Sequence, residues 1–246
     1  YVSWNWKANG AGSANTAGDI NSTVSANTTS GFSIVKWTGS GSVATIGHGL
    51  GVAPKLIIIK NLGTSQAWPV DCRAISGTMY LNETGTKQSY ANNSPIPADA
   101  PTNTKFYVGS ANNGNQSGQE MIAYCFAEKT GYSKIGSYTG NGNANGTFVY
   151  TGFKPAFVLF KATAVSNSHW YMWDNKRDTE NPMNKRLYSN LNNSEGDGSD
   201  NNLDFLSNGF KMKSTNHDSN KSGDSYIYIA FGQSLVGTNN IPCTAR

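Results

Sequence analysis

The sequence predicts an all-β protein, an antiparallel β-sandwich of jelly-roll type built from two tandem copies of one repeat. Three observations carry this prediction: a turn-rich composition, short apolar runs separated by Gly and Asn, and motifs that recur at a spacing of 101 residues. Of the 246 residues, 27 are Gly, and only 14% are charged, against ~25% in ordinary domains. Gly and Asn take up the left-handed backbone of tight turns at little cost. Long helices need Ala, Leu, Glu and Lys in a density this chain lacks.

The elements follow in chain order. Tyr1-Val-Ser-Trp-Asn-Trp6 alternates as a strand does and resembles the closing strands further on. It is expected either to end a preceding unit or to complete the sheet of the first repeat. Gly10–Ser30 is polar and without period, so residues 1–30 are expected to be a strand followed by a surface linker. Phe32–Trp37 is β-rich and stops at the turn text Thr38-Gly-Ser-Gly41. Leu56–Ile59 and Phe157–Phe160 are unbroken apolar runs, as strands buried on both faces require. Pro54 and Pro155 precede them, where a missing N–H costs the ladder little. Met121–Phe126 and Tyr226–Phe231 are strands entered from Ser-Gly turns, and Asn208-Gly209 suggests a type I′ hairpin turn.

The spacing organises these strands. Trp37, Thr38, Gly39 and Gly41 align with Tyr138, Thr139, Gly140 and Gly142, and Gly51, Pro54 and Lys60 with Gly152, Pro155 and Lys161. Trp68 and Trp170 fall 102 apart, and Ser117–Phe126 meets Ser222–Phe231 at a spacing of 105. Repeat one is therefore placed at 31–129, repeat two at 130–235, and a C-terminal tail at 236–246.

Several function classes lose support. The net charge of +4 is spread along the chain, and the densest basic cluster (Lys176, Arg177, Lys185, Arg186) is interleaved with Asp174, Asp178 and Glu180, so nucleic-acid binding is not expected. No apolar run approaches the ~18 residues of a membrane span. Cys72, Cys125 and Cys243 have no metal or redox spacing and suit buried thiols. His48, His169 and His217 lack a Gly-x-Ser-x-Gly partner motif, and His48, within Gly47-His-Gly-Leu-Gly51, is expected to be a turn residue. Asp71, Glu83, Glu120 and Glu128 are scattered, with no acidic pair in an evident register. The expectation is a non-enzymatic module without a cofactor.

Two groups remain as candidate sites. Glu195, Asp197 and Asp200 offer oxygen ligands suited to Ca²⁺ but lack EF-hand spacing, so a solvated loop is the expectation. Among the aromatics, Trp68 and Trp170 recur and suit core slots. Tyr171 and Trp173, beside Asp174, Lys176 and Arg177, suit glycan contact, since rings pack the apolar face of a sugar while polar neighbours bond its hydroxyls.

Longer stretches carry a family resemblance. Tyr1–Lys7, Thr29–Val35, Gly47–Pro54, Ala123–Glu128, Gly131–Gly142, Phe148–Pro155 and Leu203–Lys211 resemble a module of tail-fibre-like virion proteins from marine and freshwater bacteriophages. The likeness runs from Tyr1 to Phe231, and Leu235–Arg246 resembles the C-terminus of such a fibre protein. In that family the module often follows a concanavalin A-like lectin domain. The resemblance implies a virion protein exposed to the medium, with other virion proteins as partners, a homo-oligomer (trimer favoured), and attachment to a host-surface glycan. It supplies no catalytic or binding residues. A capsid decoration or fibre-shaft protein without a receptor role is the alternative reading, and a polysaccharide depolymerase the third.

Overall fold

The computed structural model describes residues 3–232, the side chain of Ser199 excepted. The chain divides into two compact units, one made of residues 3–83 and 87–128, the other of residues 129–232 with 84–86. Nearly all regular structure is β, and all paired strands are antiparallel, as the composition predicts.

The first unit contains β1 (Ser13–Asn15), β2 (Ser22–Asn27), β3 (Phe32–Thr38), β4 (Ala44–Gly47), β5 (Leu56–Asn61), β6 (Pro69–Cys72), β7 (Gly77–Tyr80), β8 (Lys105–Val108) and β9 (Glu120–Phe126). Seven form one sheet in the order β1-β2-β3-β9-β5-β6-β7, and β4 and β8 form a ribbon packed on it. The inward positions follow the period of two. Val35 and Trp37 of β3, Ile57 and Ile59 of β5, and Met121, Ala123 and Cys125 of β9 meet Ala44, Ile46, Phe106 and Val108 of the ribbon. The Trp37 and Phe106 rings lie edge to face at 5.8 Å. On the other face of the sheet Phe32, Leu56 and Phe126 are also buried, as the unbroken run in β5 predicts.

The expected linker is corrected. Gly10–Ser30 supplies β1 and β2, and β2 pairs with β3 from Ser22↔Trp37 to Asn27↔Phe32. Its small and β-branched residues fit a pleated surface, but with Val24 as its one fully buried apolar side chain it shows almost no period. The same segment covers the outer edge of β4: Ile20 N–H donates to Thr45 O, and Asp19 Oδ2 accepts from Thr45 N–H at 3.0 Å. Residues 3–9 join no ladder, and Trp6 packs edge-on against Phe126 at 5.9 Å. Tyr1, Val2 and the tail 236–246 with Cys243 lie outside the described residues.

The second unit contains β10 (Ser133–Thr139), β11 (Phe148–Tyr150), β12 (Pro155–Ala162), β13 (Tyr171–Asp174), β14 (Lys185–Tyr188), β15 (Gly196–Asp197), β16 (Leu203–Leu206), β17 (Gly209–Met212) and β18 (Ser225–Gly232). A six-stranded sheet in the order β10-β18-β12-β13-β14-β15 faces a three-stranded sheet in the order β11-β17-β16. Tyr138, Phe160, Trp173, Tyr226 and Tyr228 of the large sheet pack against Val149, Leu203, Phe205, Phe210 and Met212 of the small one. Strands β3-β9-β5-β6-β7 and β10-β18-β12-β13-β14 thus run in one and the same order within their units.

The hairpin joining β16 and β17 forms, but not around Asn208-Gly209. Leu206 pairs with Gly209, so Ser207 and Asn208 are the central residues, and neither has positive φ. Gly209 is required by proximity instead: a Cβ there would lie 2.1 Å from Val149 O and 3.0 Å from the Phe148 ring.

His48 is a fully buried loop residue after β4. Its Nδ1 accepts from Leu50 N–H at 3.1 Å, which leaves Nε2 as the donor to Thr102 O, also at 3.1 Å. Both ring nitrogens are occupied only in the neutral imidazole. Burial lowers its pKa below the usual 6.5 against the opposing pull of the Thr102 carbonyl. Because the unfolded chain then binds the proton first as pH falls, stability drops below about pH 6.5. Denaturant midpoints at about pH 8 and pH 5 test this: the wild type should lose stability over that interval, and His48→Gln, weaker at the higher pH, should lose distinctly less.

Candidate functional site

The structure places the sequence-predicted aromatic residues away from solvent. Trp173 is fully buried and Tyr171 nearly so. Their rings stack on each other and on Phe160, with centroids 4.8–5.6 Å apart, and Tyr171 OH donates to Asp218 Oδ2 at 2.8 Å. Neither ring offers a face to a ligand. The sequence missed this because an alternating Tyr-Met-Trp on a strand puts both rings on one face, and that face turns inward. Asp174 and Arg177 are likewise enclosed. Asp174 Oδ1 accepts the N–H groups of Lys176 and Arg177, and Arg177 Nε meets Asp174 Oδ2 at 2.6 Å while Nη2 donates to Met172 O. Together they close the turn after β13.

The acidic loop does not converge. Asp197 lies in β15, Glu195 reaches Arg177 at 3.4 Å, and Asp200 stands apart near Lys213. Among the described residues no three His, Cys, Asp or Glu side chains gather as metal ligands would.

Other titratable groups are structural. Asp71 sits opposite Ile57 and contacts Arg73 Nη2 at 2.8 Å and Tyr90 OH at 2.7 Å, and burial raises its pKa against the pull of Arg73. Cys72 and Cys125 are buried free thiols, Cys72 pushed up to about 12 by desolvation. Lys161, fully buried, donates to Ser168 O, and desolvation brings its ammonium down to about 8.

A surface feature that the sequence did not single out lies on the small sheet of the second unit. Phe148 and Tyr150 of β11 are 44% and 65% exposed, while Val149 between them is buried in the core. Among the described residues these are the two aromatic side chains with large exposure; the other exposed large hydrophobics are aliphatic. Separated by two strand positions, the side chains leave one face about 7 Å apart. Phe148 pairs with Lys211, and Lys211 with Asp204, so the face continues across the sheet as aromatic, cation and carboxylate. Asp204 meets Lys213 at 3.8 Å.

Among the described residues no strand pairs with the outer edge of this sheet. Met212 N–H donates to Thr147 O and Thr151 N–H to Asn208 O. By antiparallel alternation the N–H and C=O groups of Phe148 and Tyr150 then point away from β17. In the first unit the ribbon edge is covered by Asp19 and Ile20, and β4 carries no aromatic side chain. A signal was present: at the spacing of 101, Phe148 and Tyr150 fall opposite Gly47 and Gly49. Two large rings against two glycines are not what a shared core slot produces.

Fold and face together define an all-β sandwich protein with two exposed aromatic rings on the edge strand of a three-stranded sheet. The family described as Domain of unknown function (DUF7483) matches residues 1–234, and the chain belongs to that family. No curated protein and no solved structure matches it. Among the described residues no helix is long and apolar enough to cross a membrane.

The enclosed rings and the exposed ones should respond in opposite ways to truncation. Trp173→Ala should cost about 3–5 kcal/mol of unfolding free energy, as for a buried aromatic ring, whereas Phe148→Ala and Tyr150→Ala should each stay within about 0.5 kcal/mol of wild type. Denaturant unfolding of the three variants checks this, and a stable Trp173→Ala protein would contradict the placement.

Proposed function

We propose that this chain is a non-catalytic attachment module of a phage virion, of tail-fibre type, and that the outer face of the β11-β17-β16 sheet binds a host-surface glycan. The observation that carries the reading is the exposed pair Phe148 and Tyr150. A ring face is electron-rich and packs the C–H face of a sugar, while adjacent polar groups bond its rim of hydroxyls. Here those groups are Lys211, the Asp204–Lys213 pair and the outward peptide groups of β11. The two exposed rings stand on one face of the same strand, so they form a contiguous apolar surface rather than scattered contacts. The virion setting rests on the resemblance of the long motifs from Tyr1–Lys7 to Leu203–Lys211. The shared strand order of the two units supports reading them as copies of one ancestral module, the second of which acquired the platform. In this reading the protein works as a homo-oligomer among other virion proteins, so that weak sites act together.

Titration of the purified chain with lipopolysaccharide and capsular polysaccharide from host bacteria tests the proposal. Saturable binding is expected. Phe148→Ala and Tyr150→Ala should each weaken it about tenfold, close to 1.4 kcal/mol, and the double variant should abolish it with thermal stability unchanged. A double variant that binds like wild type would refute the site.

A further inference from the structure

The platform does not end at Phe148. Beyond Lys211 the same face reaches Lys213, and there it borders a polar pocket of about 250 Å³ lined by Ala144, Asp200, Lys213, Ser214, Thr215 and Asn216. Lys213 belongs to both, since its ammonium meets Asp204 on the sheet face at 3.8 Å. The pocket walls are fixed by hydrogen bonds. Ser214 Oγ donates to Asp200 O, Asn216 N–H donates to Ser214 Oγ, and Ser214 O accepts from the fully buried Asn220 Nδ2 at 2.8 Å. The groups that line it are the Asp200 carboxylate, the Thr215 hydroxyl and the Asn216 carboxamide, whose Oδ1 accepts from Asp218 N–H, with the Asp204-paired Lys213 ammonium at the rim. That mixture of donors and acceptors matches a polyhydroxylated ring better than an ion, for which one sign of charge would prevail.

We infer that pocket and platform form one extended site for an uncharged oligosaccharide, the pocket holding one sugar by hydrogen bonds and the rings of Phe148 and Tyr150 stacking the sugars that follow. This deepens the glycan-binding reading and rests on it. Length supports it: from the level of Tyr150 to that of Lys213 is four strand steps, about 14 Å at the rise of an antiparallel strand, which is longer than a single pyranose ring. Charge supports it as well. Lys211 and Lys213 are balanced by Asp200 and Asp204 along the face, so it offers no net attraction to an acidic sugar, and binding should be almost insensitive to salt.

The test uses neutral oligosaccharides of graded length, from disaccharide to hexasaccharide, cut from the host O-antigen chain. They are titrated into the wild-type chain and into Asp200→Asn, Thr215→Ala and Phe148→Ala. Unchanged melting temperatures confirm that the Asp200→Asn and Thr215→Ala variants remain folded. For the wild type, affinity should rise about tenfold or more between the disaccharide and the tetrasaccharide. Asp200→Asn and Thr215→Ala should erase that rise while leaving disaccharide binding intact, and Phe148→Ala should weaken every length. Raising NaCl from about 0.05 to 0.5 M should change the affinity less than about threefold. If the pocket variants keep the full gain with length, or if salt weakens binding more than tenfold, the extended neutral site is wrong and the platform alone stands. If Phe148→Ala has no effect at any length, or if no oligosaccharide binds, the platform reading falls and this inference falls with it.

Discussion

The arrangement of the second unit depends on one buried carboxamide. Asn220 has no solvent exposure, and its side chain joins three separate stretches of chain. Nδ2 lies 2.8–2.9 Å from three acceptors that share its two protons, Asn141 Oδ1, Asn143 O and Ser214 O, and Oδ1 accepts from Asn141 N–H at 3.1 Å and faces Thr147 Oγ1 at 3.3 Å. Thr147 is the residue before β11, and Ser214 is in the pocket wall. A buried amide that lost these partners would carry its full desolvation cost, so the loop 141–147, the start of β11 and the segment after β17 are held in one geometry. Asn115 does the corresponding work in the first unit: Oδ1 accepts from Trp37 Nε1 and Ser40 N–H, while Nδ2 donates to Ser40 Oγ and Ser42 O. In each unit the backbone carbonyl of that Asn accepts a further bond, from Gly41 and Gly142 respectively, both at 2.7 Å.

With that clamp in place, the difference between the units becomes a difference in what lies over one sheet edge. In the first unit Asp19 and Ile20 cover the ribbon beside Thr45. In the second the strand at that position has an outward edge and two outward rings. In the proposed attachment role, rings and polar groups set on paired strands would pay less ordering cost on binding than the same groups on a mobile loop.

Much of the fold was legible in the sequence because strand burial leaves a period. The alternation in Phe32–Thr38 and Glu120–Phe126 and the unbroken runs at Leu56 and Phe157 each placed a strand within two residues at either end. Ser22–Asn27 was not legible, since its burial is spread over Ser, Val and Ala rather than over large apolar side chains. The site was the least legible part. Tyr171 and Trp173 look like contact residues because their neighbours are polar, yet the polar neighbours Asp174 and Arg177 bond to each other and to the chain. Phe148 and Tyr150 look like strand interior, and only the inward turn of Val149 reveals that they face out. The roles of Asn115 and Asn220 depend on partners some 75 to 80 positions away, which no local pattern records, although their spacing of 105 matches that of the closing strands.

The most direct test of the clamp is hydrogen exchange of the Asn220 side-chain amide, followed by nuclear magnetic resonance on the labelled protein. If the carboxamide holds the second unit together, its two protons should exchange only through global unfolding, as slowly as the backbone amides of β18. Exchange at the rate of a solvent-exposed Asn side chain, while those backbone amides stay protected, would contradict the account.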